Sequence, residues 1–163
     1  MAKNKEEKTN VMRVLEQKKI AYTAHTYPHE EGVAVDGVTV AKSMGFDPAI
    51  VFKTLVARGA SKQYYVFDVP VAENLDLKKA AKAVGEKSIE MLHQKELLPL
   101  TGYVHGGCSP VGMKKLFPTV FHETAENLET MIVSAGKIGY QVELAPHDLA
   151  ALVRAKFADI IVE

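Results

Sequence analysis

The chain has a single cysteine, Cys108, among its 163 residues. One thiol rules out an internal disulfide framework and fits a reducing compartment. Net charge is also missing, because 20 basic residues balance 20 acidic ones. Proteins that coat nucleic acid indiscriminately carry a basic excess, since phosphate neutralisation supplies most of their affinity. General DNA or RNA coating is therefore excluded, and any nucleic-acid partner must be gripped locally. Long apolar runs are absent too: nothing approaches the roughly 18 continuous apolar residues of a membrane span. The opening residues, M-A-K-N-K-E-E-K, are polar with no apolar segment behind them, unlike a secretory signal. A cytoplasmic protein without a membrane partner is expected.

Several catalytic signatures are missing as well. No Cys-x-x-Cys pair exists, and His25 and His29, although four apart, are separated by Pro28 with no glutamate after His25. That excludes the zinc motif H-E-x-x-H and predicts no metal and no cofactor. The stretch H-G-G-C-S-P-V-G, His105 to Gly112, looks at first like a nucleophile's turn. A G-x-S-x-G elbow needs a free N–H on the residue after the serine. Here Pro110 follows Ser109, and the next glycine comes one place late at Gly112. Ser109 is a poor nucleophile on this pattern, and no motif supplies a base for Cys108. The loop reads as backbone that holds a ligand, or simply as a tight turn. A second small-residue segment, S-A-G-K-I-G from Ser134 to Gly139, lacks the full nucleotide P-loop pattern.

What is present is an orderly alternation of short elements. Thr9 or Asn10 caps a helix with Val11, Val14 and Leu15 on one face, and Tyr22–Tyr27 reads as a strand. Asp36 caps a short helix that Gly45 ends in a left-handed conformation. Two β-rich runs, I-V-F-K-T-L-V-A and Q-Y-Y-V-F-D-V-P, are joined by R-G-A-S-K as a hairpin. A helix capped by Asn74 or Asp76 runs to Gly85. Short strands follow at S-I-E-M-L, T-G-Y-V-H, T-V-F-H-E, M-I-V-S-A and Y-Q-V-E-L-A, and H-D-L-A-A-L-V-R-A is a last helix. Strict β-α-β alternation is absent. The expected fold is α+β: a curved, mixed, largely antiparallel sheet or barrel surrounded by helices. Residues 1–163 are expected to form one domain.

Lys53 interrupts an otherwise apolar strand. By alternation it shares a face with Val51, Leu55 and Ala57, while Phe52, Thr54 and Val56 occupy the other. A lysine between two buried faces must find a counter-charge, snorkel over apolar surface at an edge, or face a wet cavity as a cation awaiting an anionic or electron-rich ligand. The pattern does not choose between these. Asp68, in V-F-D-V-P, is a second odd charge, expected to cap the next turn or to pair with Lys53, with the cap preferred.

F-K-T-L-V at Phe52–Val56, G-G-C-S-P-V-G at Gly106–Gly112 and S-A-G-K-I-G at Ser134–Gly139 occur in that order, preceded by H-T-Y at His25–Tyr27. Together with L-K-K-A-A-K-A-V-G, they closely resemble the bacterial YbaK/EbsC family. Those proteins are freestanding relatives of the editing domain inserted in bacterial prolyl-tRNA synthetases. The resemblance spans essentially the whole chain. It implies a deacylase that hydrolyses mischarged tRNA in trans, with Cys-tRNA(Pro) as the expected substrate. The family's functional lysine falls on Lys53, with Thr54 beside it. Its pocket loop falls on Gly106, Gly107, Ser109 and Pro110, its second pocket segment on Ser134 and Gly136, and an aromatic position near the mouth on Tyr27. The implied partners are the aminoacylated 3′ end of tRNA and prolyl-tRNA synthetase. The competing readings are the same chemistry on another ester such as Ala-tRNA(Pro), and a module that binds the tRNA end or a protein without turnover.

Overall fold

The computed structural model describes residues 8–163. Helix α1 (Asn10–Gln17) is capped by Thr9, whose Oγ1 accepts from the Met12 N–H at 3.3 Å, and it buries Val11, Met12 and Leu15. Strand β1 (Thr23–Thr26) follows, then α2 (Gly37–Ser43), where the Asp36 carboxylate accepts from the Thr39 N–H. Gly45 adopts φ +80°, the left-handed conformation that its place after the helix requires.

The hairpin β2 (Phe52–Gly59) and β3 (Tyr64–Pro70) forms the spine. The Gly59 N–H donates to the Gln63 carbonyl across the turn. Glu86 tethers that turn from behind by accepting from the Ser61 N–H, the Ser61 hydroxyl and the Tyr65 hydroxyl. Helix α3 (Leu77–Val84) is capped by Asp76, which accepts from the Lys78 and Lys79 amides, and it ends at Gly85 with φ +75°.

The next elements are β4 (Ile89–Met91), α4 (Gln94–Thr101), β5 (Thr119–His122), β6 (Met131–Ser134), β7 (Tyr140–Leu144), α5 (Pro146–Val153) and β8 (Ala155–Ala158). Two of these depart from expectation. T-G-Y-V-H is not a strand: Thr101 closes α4, Gly102 turns the chain at φ +90°, and the following residues are loop. Helix α4 survives Pro99 because its start is secured, with the Glu96 carboxylate accepting from the His93 N–H, and because the proline lies near its end. Strand β8 follows directly on α5, after Arg154 turns the chain at φ +58°.

Five strands pair in the order β4-β2-β3-β5-β8, antiparallel as far as β3 and parallel from β3 to β5 and from β5 to β8. A second, antiparallel sheet has the order β1-β7-β6. A single parallel bridge, Val51 to Ile132, stitches β6 to the start of β2. The curved mixed α+β architecture is as expected, but the two sheets do not close into a barrel. Both faces of β2 are covered. Phe52 and Val56 pack into the main core with Leu15, Phe121 and Leu144, while Leu55 and Ala57 pack under α3 with Phe67 and Ala80. A third cluster, Ala41, Val51, Val71 and Ile132, seats α2 over the bridge. No helix among the described residues is long and apolar enough to cross a membrane.

Candidate active site

The site arises from an interruption along one edge of β2. Hydrogen bonds from the Gly59 N–H to Gln63 and from the Val71 N–H to Val51 show that the odd-numbered residues of β2 bond to β3. Even-numbered residues therefore turn their N–H and C=O groups to the opposite edge. That edge is taken at its start by the Val51–Ile132 bridge and from Val56 onward by β4 and Leu92. Around Thr54 no strand of the described residues is paired on this edge. A cavity of about 390 Å³ opens at this gap, which explains why neighbouring residues of β2 from both faces, Phe52, Lys53, Thr54 and Leu55, all line it.

The remaining walls come from distant segments. The small sheet contributes Ser134 and Gln141, which are opposite each other across β6 and β7, with Tyr27 from the end of β1. Val35, Asp36, Gly37 and Val40 bring the start of α2, and His105, Gly106 and Cys108 bring the glycine loop. Gly106 has φ +91°, and a Cβ there would lie 2.7 Å from the Ala34 Cβ, so this loop lies against the segment before α2. A Cβ on Gly107 would meet the Lys137–Ile138 backbone at 3.1–3.3 Å, so the two glycine-rich segments of the sequence pack directly together.

Lys53 is half-buried in this cavity. Burial pulls its ammonium below the usual 10.5, with the Asp36 and Glu73 carboxylates offsetting part of the effect. Among the described residues no carboxylate lies within ion-pairing distance of it. Gln141 is 6% exposed, and its Oε1 has no hydrogen-bond partner. The amides of Gly106 and Cys108 likewise make no hydrogen bond among the described residues, whereas the Gly107 N–H is committed to the Val104 carbonyl at 3.0 Å. The cavity thus presents one cation, unpaired backbone donors and an unpaired carboxamide oxygen.

The two nucleophile candidates of the glycine loop are poorly placed. Ser109 is fully buried outside the cavity wall, and its Oγ accepts from the Val111 N–H at 3.2 Å. Burial and the nearby Asp68 push the Cys108 thiol up to about 12, so it is protonated at neutral pH. No group of three or more His, Cys, Asp or Glu side chains converges among the described residues. His25 instead bonds Glu143 at 2.8 Å, and that carboxylate also accepts from Thr130.

Residues 32–152 match the aminoacyl-tRNA editing domain family. The chain belongs to that family. It is 47% identical over 161 residues to EbsC of Enterococcus faecalis, named as a Cys-tRNA(Pro)/Cys-tRNA(Cys) deacylase, with 98% of each chain covered. Among solved structures it is similar to one described as a trans-editing enzyme for prolyl-tRNA synthetase, with a TM-score of 0.79 and 25% identity over 94% of this chain and 95% of that one. A protein described only as hypothetical shares the fold, with a TM-score of 0.82 and 18% identity over 93% and 99% of the two chains. The resemblance to YbaK/EbsC proteins is thus a family relationship over nearly the whole chain.

Within this editing-family fold, Tyr27, Lys53, Thr54, Gly106 and Ser134 come together around the cavity. Gly107, Ser109 and Pro110 are buried behind the loop and do not line it, and Gly136 lines a neighbouring hollow of about 210 Å³. Sequence reasoning missed Gln141. In Y-Q-V-E-L, Val142 and Leu144 face the main core, and the polar residues of the alternate set read as solvent-facing. Their face is in fact half covered, and Gln141 is sealed against the cavity. Asp68 neither caps a turn nor pairs with Lys53; its Oδ1 accepts the Thr54 hydroxyl at 2.5 Å.

Proposed function

We propose that the protein is a freestanding deacylase that hydrolyses Cys-tRNA(Pro), with Lys53 as the residue on which turnover depends. The observation that carries this reading is the unpaired, half-buried Lys53 ammonium in a cavity that offers backbone donors and whose one thiol, Cys108, is held protonated. The names of the relatives at 47% and 25% identity support the substrate class.

The chemistry follows from what the cavity supplies. An aminoacyl ester is already activated: water oriented by the neighbouring ribose hydroxyl, or the substrate's own cysteine thiol, attacks the carbonyl, and the ribose oxygen leaves as the ester C–O bond breaks, taking up the attacker's proton. Holding such a group at attack geometry recovers about 7–11 kcal/mol of the barrier. As the carbonyl oxygen gains charge, the Gly106 and Cys108 amides are the available donors, and Lys53 offsets the negative charge of the terminal nucleotide or of the oxyanion. Tyr27 and Ser134 line the walls around the acyl group.

The balanced charge of the chain has a place in this account. The protein grips only the acylated end and takes its choice of tRNA from prolyl-tRNA synthetase, so its own affinity for tRNA is weak, with a shallow salt dependence. The test is release of cysteine from Cys-tRNA(Pro) by wild type and by Lys53→Ala, with Cys-tRNA(Cys), Ala-tRNA(Pro) and Pro-tRNA(Pro) as comparison substrates. Cysteine release that disappears with Lys53, in a variant of unchanged thermal midpoint, supports the proposal. Faster release of alanine moves the substrate assignment to Ala-tRNA(Pro). Binding of acylated ends without release of any amino acid overturns the enzymatic reading in favour of a binding module.

A further inference from the structure

Asp68 is the one fully buried carboxylate of the described residues, in the middle of the central strand β3. It sits opposite Thr54 of β2. Because the odd-numbered residues of β2 form the hydrogen-bonded pairs, Thr54 and Asp68 are a non-hydrogen-bonded pair, the arrangement that brings side chains closest. Thr54 Oγ1 donates to Asp68 Oδ1 at 2.5 Å, and Asp68 Oδ2 has no partner. A carboxylate satisfied by a single hydroxyl is costly to bury, and an apolar side chain of similar volume would avoid the cost. The single group that Asp68 serves, Thr54, lines the cavity.

A hydroxyl has one hydrogen and two lone pairs. With its hydrogen committed beneath the floor, Thr54 Oγ1 has only lone pairs left for the cavity. Resting on the deacylase reading above, we infer that Asp68 holds the Thr54 hydroxyl proton so that Thr54 Oγ1 meets the substrate as a hydrogen-bond acceptor. Asp68 is then a positioning residue of the editing reaction. The ligand group it selects is an O–H, N–H or S–H donor. An attacking water or thiol that donates to Thr54 Oγ1 has its own lone pair turned toward the ester carbonyl. As the ester C–O bond breaks, the attacker's proton passes to the departing ribose oxygen, so no proton leaves Thr54, and Asp68 touches no substrate.

The surroundings keep the pair isolated. From β2 Asp68 faces Thr54, and from β5 it is in register with Phe121. The titratable group near it is Cys108 of the glycine loop, which stays protonated. Lys53 projects from the opposite face of β2. Burial pushes the Asp68 carboxyl up to about 7, against the pull of the Thr54 hydrogen bond. When Asp68 is protonated it donates to Thr54 Oγ1, and the Thr54 hydrogen is released to the cavity, reversing the polarity offered to the substrate. The acceptor state is therefore filled as pH rises through the region near 7 and emptied below it.

The experiment compares wild type, Asp68→Leu, Thr54→Val, the double variant and Thr54→Ser in single-turnover and steady-state deacylation of Cys-tRNA(Pro) between pH 6 and 8.5. Asp68→Leu is expected to lower kcat by about tenfold or more at high pH with KM within about twofold, the loss of one oriented hydrogen bond at the attacking group. Its thermal midpoint is expected to stay level or rise, an outcome that a merely structural carboxylate would not give. The double variant should lie within about twofold of Thr54→Val, since Asp68 acts through Thr54. Thr54→Ser, which keeps the hydroxyl, should recover most of the loss. Wild type should show a rising limb near pH 7 that Thr54→Val lacks, which tests the inference even if Asp68→Leu fails to fold. An active wild type with an equally active Asp68→Leu, losses that add in the double variant, or the same limb in Thr54→Val overturns the inference alone. A wild type that deacylates no aminoacyl-tRNA overturns the deacylase reading and the inference with it.

Discussion

Among the described residues, two lysines have side chains drawn out of full solvent exposure, and they are treated in opposite ways. Lys79, near the start of α3, donates to Asp159 and to the Ile161 carbonyl, both at 2.9 Å, and reaches Glu163 at 3.5 Å. Its ammonium is raised above the usual value, chiefly by Asp159. It pins the last residues, where the Val162 N–H also bonds Asn74, to the body of the fold. Lys53 has no such partner and is lowered by burial. A cation whose protonation the fold favours has its ligand within the protein. A cation whose protonation the fold opposes is held ready for a ligand from outside.

The sharpest way to break this contrast is Lys53→Ala. Editing should fall by about 100-fold or more, the scale of removing a charge-stabilising group from an active site, while the thermal midpoint holds or rises. Cysteine release and thermal melting measured on the same preparation check it. A midpoint that falls with activity would make Lys53 structural. Next in size is Gly106→Ala, which places a Cβ at φ +91° against Ala34. Stability should drop by about 1–3 kcal/mol from backbone strain, and editing should drop with it as the loop shifts. Urea unfolding and turnover give the two readouts.

Lys79→Ala gives a smaller, reversed result: a modestly lower thermal midpoint and an unchanged rate per folded molecule. The pH dependence sharpens it. Asp159 is held below its usual 3.8, so its share of stability is present above 3.8 and is lost as pH falls through the lowered value. Lys79 is raised, so its share is present below 10.5 and is lost as pH rises through the raised value. Lys53 runs the other way. Its burial cost is full below the lowered value and is relieved as pH rises from there toward 10.5, so the stabilisation by Lys53→Met should shrink as pH rises. Differences in thermal midpoint measured from about pH 2 to about pH 12 separate the three.

How far the sequence could be read depended on the range of each signal. The caps at Asp36 and Asp76, the glycine stops at Gly45 and Gly85 and the β2–β3 hairpin are written within a few residues, and they were legible. Helix α4 was obscured by Pro99, and β8 by its start directly after α5, where the expected helix ran on through Ala155. Lys53 stood out because a charge in an apolar strand is a local anomaly. The gap in the β2 edge was not legible, because it depends on where β6 and β4 stop pairing, and neither limit is encoded near Thr54. Gln141 was lost for the same reason: the segments that bury it are far away in sequence.

The cavity wall formed by β1 and β7 has a consequence for synthesis. His25 meets Glu143 across 118 residues of chain, and Tyr27 and Gln141 share a cavity across nearly the same span. The β2–β3 hairpin and α3 can form as they emerge from the ribosome, since their contacts are local. β1 must wait unpaired until β7 arrives. A chain that has not yet reached β7 thus carries the Lys53 floor without its roof, and nascent molecules acquire the site only once β7 has emerged.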